Sequence, residues 1–374
     1  FFFFFFSART QPSFFFFLPE LFFFKKNSKV IVGVLRKDFE SELEFEIIRG
    51  EIPLYSVDVS YMIDEETGFI KISRFANKTY DEFMDRMQLL DDRGAKKVII
   101  DLRGNTGGSL VAVLQMVDEF LEKGEPMLYT EGVNQPKKTY PASGRNTWKN
   151  MKVFVMIDEL SASASEIFAG AMQDNDRGII VGRRSFGKGL VQEQIPLIDG
   201  SALRLTIARF YTPSGRCIQS SYENGNEEYF NNLHERFENM EQLVADSIHF
   251  DKALKYKTKG GRIVYGGGGI MPDFFVPVDT AGNSEYFSKI YRKGLIYTFA
   301  YSYADEHRNE LSALANADEF DRYLDEKNAM KDFVAYAAQR GIAKDDNGIK
   351  VSGNIINTQL KAYIARNIMG EEGF

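Results

Sequence analysis

A serine and a lysine twenty-five positions apart carry the chemistry this sequence suggests. Ser163 lies in Ser161-Ala162-Ser163-Ala164-Ser165-Glu166, and Lys188 lies in Phe186-Gly187-Lys188-Gly189. A serine hydroxyl needs a base before it can attack a carbonyl. The three histidines, His234, His249 and His307, all lie outside both segments. A desolvated lysine can take the role, because burial disfavours its charged form, and Ser–Lys pairs are known variants of the Ser-His-Asp arrangement. Ala162 and Ala164 leave room for a substrate to approach the hydroxyl. A helix starting at Ser163 would offer its dipole and free N–H groups to a developing negative charge, which makes the Ala164 amide a natural oxyanion donor. Gly107 and Gly108, between a buried strand and a helix, could supply a second amide.

Blander readings compete with each of these. Ser163 with Glu166 three residues later also fits a helix capping box, and the two glycines also fit a tight strand-to-helix turn. Gly182-Arg183-Arg184-Ser185-Phe186-Gly187-Lys188 satisfies half of a phosphate-binding loop. That loop then requires Ser or Thr and a helix, whereas Gly189 follows here, and Val191, Glu193, Ile195 and Pro196 suit an extended segment.

The elements that must position these residues alternate between strand and helix. Strands are expected at Lys29–Arg36, Leu43–Arg49, Gly68–Ile72, Val98–Leu102, Lys152–Ile157, Gly178–Gly182, Gly189–Leu197 and Ala202–Tyr211. Helices are expected at Thr79–Arg93, Leu110–Leu121 and Ser163–Gln173. Phe83, Met87 and Leu90 would share the buried face of the first helix. This β-α-β-α-β order implies right-handed crossovers and a mainly parallel sheet, hence an α/β fold. Gly266–Gly269 with Pro272 suits a flexible loop, and the charged stretch 219–248 has no readable role. From Ser284 onward the pattern becomes helical, at Ile290–Glu306, Glu319–Arg340 and Ile355–Asn367.

Composition narrows the classes. The chain has 374 residues and a formal net charge of −7, which argues against nucleic acid as a partner. Cys217 is the only cysteine, so no intramolecular disulfide can form. No zinc-binding motif is present. The phenylalanine runs Phe1–Phe6, Phe14–Phe17 and Phe22–Phe24 read as placeholder or unassigned sequence. Pro19 and Glu20 break any span of membrane length, and no signal peptide is readable there.

Five segments, in order, resemble the C-terminal processing proteases, also called tail-specific proteases (serine peptidase family S41). They are Asp101-Leu102-Arg103-Gly104-Asn105-Thr106-Gly107-Gly108, Ser161–Glu166, Gly170–Asp174, Phe186–Gln192 and Tyr211–Arg216. Gly266–Asp273 and the helical end add likeness to the Bacteroidetes-type members. The resemblance implies a crotonase/ClpP-like β-α-β core and a Ser163 nucleophile with Lys188 as its base. It also implies that Gln192 orients the lysine amine, that Ala164 and Gly107 or Gly108 supply oxyanion amides, and that Ser161 and Ser165 are structural. No metal or organic cofactor is implied. Substrates would be proteins with exposed C-terminal ends, and the site of action would be the cell envelope. The expected organisation is an unreadable segment over 1–27, the last strands of a PDZ-like domain over 28–50, a catalytic domain over 51–280, and a helical region over 281–374. That last region would pack on the catalytic domain or mediate self-association. Two other readings stay open: a crotonase-like acyl-CoA enzyme, which needs no Ser–Lys pair, and a catalytically silent scaffold of the same fold.

Overall fold

A computed structural model of the chain describes residues 26–34, 42–50, 54–220, 222, 225, 231, 234–236, 238–244 and 252–370. The phenylalanine-rich segment, Asp38–Ser41, His249 and half of 219–248 lie outside the described residues. Two units make up the chain, Phe1–Tyr55 and Ser56–Phe374.

In the first unit, β1 (Lys29–Val34) and β2 (Leu43–Ile48) pair antiparallel from Lys29 opposite Ile48 to Val34 opposite Leu43. Ile31, Phe45, Ile47 and Ile48 are exposed.

The second unit is built on a six-stranded sheet. Its strands in chain order are β3 (Val57–Met62), β4 (Thr67–Ile72), β5 (Lys97–Asp101), β8 (Lys152–Ile157), β9 (Gly178–Gly182) and β14 (Phe274–Phe275), and the spatial order is β14-β9-β8-β5-β4-β3. Every pairing from β4 to β14 is parallel, and only β3 pairs antiparallel. The inner strands are apolar because both faces are covered. Val98, Ile100, Val155 and Ile157 are fully buried. The helices α1 (Thr79–Asp92), α2 (Leu110–Asp118) and α3 (Ala164–Asp174) are the crossovers. As the spacing predicts, Phe83, Met87 and Leu90 of α1 are buried. The sheet is therefore mixed and mainly parallel, and the fold is α/β.

A second, four-stranded antiparallel sheet runs β10 (Leu190–Pro196), β11 (Ala202–Tyr211), β6 (Pro126–Gly132), β7 (Gln135–Pro141). β6 and β7 escape sequence reading because Gln135-Pro136-Lys137-Lys138-Thr139-Tyr140-Pro141 is polar and carries two prolines, which edge strands tolerate. A short pair, β12 (Lys255–Lys257) and β13 (Ile263–Tyr265), completes the strands.

The C-terminal region is helical: α4 (Glu285–Arg292), α5 (Leu295–Glu306), α6 (Arg308–Leu311), α7 (Ala317–Glu326), α8 (Ala329–Gln339) and α9 (Asp346–Met369). Two expected long helices are each broken in the structure. Gly294 (φ 62°) and Asn328 (φ 54°) adopt left-handed backbone at the breaks, and each opens the next helix. These helices enclose their own apolar core, with Phe299, Phe320, Phe333, Ile356 and Leu360 among the buried residues. It is separate from the core around the main sheet. No described helix is long and apolar enough to cross a membrane.

Candidate active site

In a parallel sheet the carboxyl ends of the strands all open on one edge, and ligand-binding loops gather there. Four segments do so here: Ser73–Ala76 after β4, Leu102–Ser109 after β5, Asp158–Ser163 after β8 and Arg183–Gly189 after β9. The last three carry every expected site residue except Ala164, which opens the next helix, and Gln192.

Ser163 sits on the sharp turn between β8 and α3 with φ 56° and ψ −111°. A non-glycine residue rarely adopts positive φ, and the strain costs about 1–3 kcal/mol. A strained strand-to-helix turn of this kind projects a serine from the sheet edge. Its neighbours are anchors. The Ser161 hydroxyl donates to the Leu102 carbonyl at 2.8 Å, and the Ser165 hydroxyl donates to the Asn105 carbonyl at 2.8 Å. Ser163 is partly exposed, whereas both flanking serines are fully buried.

Glu166 joins this turn to the lysine loop. One carboxylate oxygen, Oε2, accepts from the Ser163 N–H at 2.8 Å and from the Lys188 N–H at 2.9 Å. The other, Oε1, accepts from the Gly187 N–H at 2.7 Å and the Ser185 hydroxyl at 2.5 Å. Glu166 is wholly buried. Burial pushes its carboxyl up, and the Ser185 hydroxyl and the three amides oppose that. The sequence reads Glu166 as half of a capping box. The structure keeps the bond to the Ser163 amide and adds three long-range ones. A second stitch runs from the Phe186 N–H to the Ser161 carbonyl at 3.0 Å. Ser163 and Lys188, far apart in sequence, are thus held by a single oxygen atom.

The glycine turn packs against the same corner. A Cβ on Gly107 would lie 2.7 Å from the Ala162 carbonyl oxygen, 2.8 Å from Ser163 Cβ and 2.9 Å from the Ala164 nitrogen. The two glycines differ as amide donors. The Gly107 N–H is already bonded to Asn105 Oδ1 at 2.9 Å, so it is not available as an oxyanion donor. Gly108 makes a parallel bridge to Phe75, in which Phe75 bonds Gly107 and Ser109. That pattern turns the Gly108 N–H away from Phe75, and no acceptor bonds it among the described residues. The Ala164 N–H, first in α3, likewise has no acceptor there. Asn105, which sequence reasoning passed over, is fully buried. Its Nδ2 donates to the Ile72 carbonyl at 2.9 Å, and its own carbonyl accepts from the Ala162 N–H at 3.0 Å. It ties β4, the glycine turn and the serine turn together.

Lys188 is partly exposed in an irregular loop that passes directly into β10. No helix follows, which disposes of the phosphate-loop reading. Gln192 lies on β10 at an irregularity in the pairing with β11, and it is exposed. The glycine run at 266–269 is not free: the Gly267 and Gly269 amides bond the Cys217 and Ile218 carbonyls. Ile270 exchanges bonds with Ser185 through the Ser185 hydroxyl and amide. The remaining motifs are structural locks. Arg216, fully buried, donates to Asp174 at 2.8 Å and Gln173 at 2.6 Å at the end of α3.

Residues 66–225 match the model of peptidase family S41, and residues 286–370 match a family of unknown function. The carboxy-terminal processing protease CtpB of Bacillus subtilis is 37% identical over 193 residues, covering 51% of this chain and 40% of that protein. A carboxyl-terminal-processing protease of Synechocystis is 34% identical over 192 residues, covering 50% and 44%. Among solved structures, the photosystem II D1 C-terminal processing protease aligns at 25% identity over 52% of this chain and 54% of that one, with a TM-score of 0.41. That superposition is too loose to argue from. The chain spans less than half the length of these two curated relatives. On the sequence matches, residues 66–225 are similar to peptidase family S41, and about half of the chain is similar to carboxy-terminal processing proteases.

Proposed function

We propose that this protein is a serine endopeptidase that hydrolyses peptide bonds through an acyl-enzyme, with Ser163 as nucleophile and Lys188 as general base. The observation that carries this is the shared Glu166 oxygen, which bonds the amides of both residues. The neutral Lys188 amine takes the proton from Ser163 Oγ as the oxygen attacks the scissile carbonyl, so the carbon–oxygen π electrons move onto the carbonyl oxygen. The N–H groups of Ala164 and Gly108 face that oxyanion. Collapse of the intermediate expels the amine, which takes the proton from Lys188. Water, giving its proton to the Lys188 amine, then attacks the acyl carbon, and Lys188 passes that proton to Ser163 Oγ as the ester bond breaks and the acid leaves. Donors fixed in advance cost no reorganisation, and removing one such donor typically costs about 100- to 1000-fold in rate. Gln192 enters as the residue that orients the lysine amine.

The relatives' names support extending the reading to proteins processed at exposed C-terminal ends, and the resemblance of the motifs extends it to action in the cell envelope. The β1–β2 hairpin fits the last strands of a PDZ-like domain, residues 51–280 fit a crotonase/ClpP-like catalytic domain, and residues 281–374 fit a helical region suited to self-association. The test is cleavage of an unstructured protein such as casein by the parent, Ser163→Ala and Lys188→Ala. Cleavage by the parent alone supports the reading. Equal cleavage by a folded Ser163→Ala or Lys188→Ala variant removes it.

A further inference from the structure

The stretch 219–248, which the sequence leaves without a role, places one side chain against the lysine loop. Arg236 lies in the helical run His234-Glu235-Arg236 and is 7% exposed. Its Nη2 donates to the Arg184 carbonyl at 3.0 Å. Its Nη1 donates to the Ser185 carbonyl at 3.1 Å and reaches that of Phe186 at 3.5 Å. Its Nε donates to Glu241 Oε2 at 2.8 Å. One planar fork therefore engages three consecutive carbonyls just ahead of Lys188, a geometry a lysine ammonium cannot copy.

The arrangement is costly for ordinary packing. Glu241 also pairs with the Arg184 guanidinium at 3.5 Å, so one carboxylate serves one buried and one partly buried cation. Burial and the Arg236 charge together push Arg184 down to about 10. Arg184 Nε is buried with no partner. A site with an uncompensated charge holds together only where other contacts over-determine it.

The loop is thus gripped on two sides. Glu166 takes the amides of Gly187 and Lys188 and the Ser185 hydroxyl, and Arg236 takes the carbonyls of Arg184, Ser185 and Phe186. Glu166 belongs to the serine's own helix. Arg236 belongs to a segment whose described residues supply no strand to the main sheet.

We propose that Arg236 is a positioning residue that fixes the loop presenting Lys188 to Ser163, so that the stretch 219–248 is coupled to the catalytic base. This rests on the dyad reading above. Loss of Arg236 loosens the loop from its carbonyl side and leaves the serine turn intact, because among the described residues Arg236 bonds Arg184, Ser185, Phe186 and Glu241 and none of 161–165.

The test has one arm that needs no activity. Amide hydrogen exchange is measured over residues 184–189 in the parent, Arg236→Ala, Arg236→Lys and Glu241→Gln. The Gly187 and Lys188 amides are expected to exchange roughly tenfold faster in Arg236→Ala, with β8 and α3 unchanged, as local opening requires. Arg236→Lys and Glu241→Gln should fall between, and they decide the matter if Arg236→Ala does not fold. Unchanged exchange at Gly187 and Lys188, or protection lost throughout the main sheet, overturns the proposal. The second arm is labelling of Ser163 by a fluorophosphonate. The limiting rate should fall about tenfold or more with the half-saturating concentration unchanged, because misplacing a catalytic group slows the step and not binding. A parent that does not label at Ser163 refutes the dyad reading alone, and the exchange arm still decides the role of Arg236.

Discussion

Replacing Glu166 with glutamine removes a charge and almost no volume, so it isolates the hydrogen bonds. The carboxylate accepts four: Ser163 N–H at 2.8 Å, Lys188 N–H at 2.9 Å, Gly187 N–H at 2.7 Å and the Ser185 hydroxyl at 2.5 Å. An amide has one carbonyl oxygen. If that oxygen faces Ser163 and Lys188, the amide NH2 faces Ser185 and Gly187. The Ser185 hydroxyl can turn to accept, but the Gly187 N–H is left buried and unpaired. An unsatisfied buried donor costs about 1–3 kcal/mol. Relief of the buried charge offsets part of that, so a net loss of about 1–2 kcal/mol is expected. Glu166→Ala strands all four donors and should cost about 3 kcal/mol or more. The assay is urea unfolding at pH 7, where a lower midpoint at unchanged slope reports stability. It is paired with the rate of fluorophosphonate labelling at Ser163, which should fall about tenfold or more in Glu166→Gln as the dyad loosens. A Glu166→Gln protein with parental midpoint and parental labelling would refute the claim that this carboxylate holds the two residues in register.

Other expectations follow from the same geometry. Gly107→Ala places a methyl within 2.9 Å of three atoms at the serine turn and at a φ of 100°; it should destabilise by about 2 kcal/mol or more and reduce serine labelling, read by the same two assays. Lys188→Arg should be as inactive as Lys188→Ala on casein, because a guanidinium does not give up its proton in proteins. EDTA should leave labelling of Ser163 in the parent unchanged. Phe299→Ala should cost the helical region about 3–5 kcal/mol in thermal or urea unfolding, because that ring packs against Tyr303, Phe333 and Tyr336, while Ser163 labelling in the folded protein stays at the parental rate.

The parallel core was legible because its inner strands are short apolar runs between helices of clear period. Lys152–Ile157 and Gly178–Gly182 fall where the pattern places them, and so does Ala202–Tyr211 in the second sheet. The second sheet was half hidden, because β7 is polar and exposed along most of its length, and the breaks at Gly294 and Asn328 needed backbone angles to be seen. At the site, residue types revealed Ser163, Lys188 and the glycine turn. The partners that hold them were not visible. Glu166 looks like a local cap until the chain returns at Ser185–Lys188. Asn105 looks like a turn residue, and Arg236 looks like one more charge on a solvated helix. Each of these acts across tens of residues through backbone atoms, and backbone atoms leave no trace in residue type. The same blindness misled the reading of Gly107, whose amide is taken by the side chain two residues before it.

The most direct measurement is a crystal structure of the protein with a peptide boronate bound covalently at Ser163, which mimics the tetrahedral intermediate. The account predicts Lys188 Nζ within hydrogen-bonding reach of the Ser163 oxygen, and the Ala164 and Gly108 nitrogens about 3 Å from the oxygen that replaces the oxyanion. An adduct at Ser163 whose oxygen faces neither amide, with Lys188 bonded elsewhere, would contradict it.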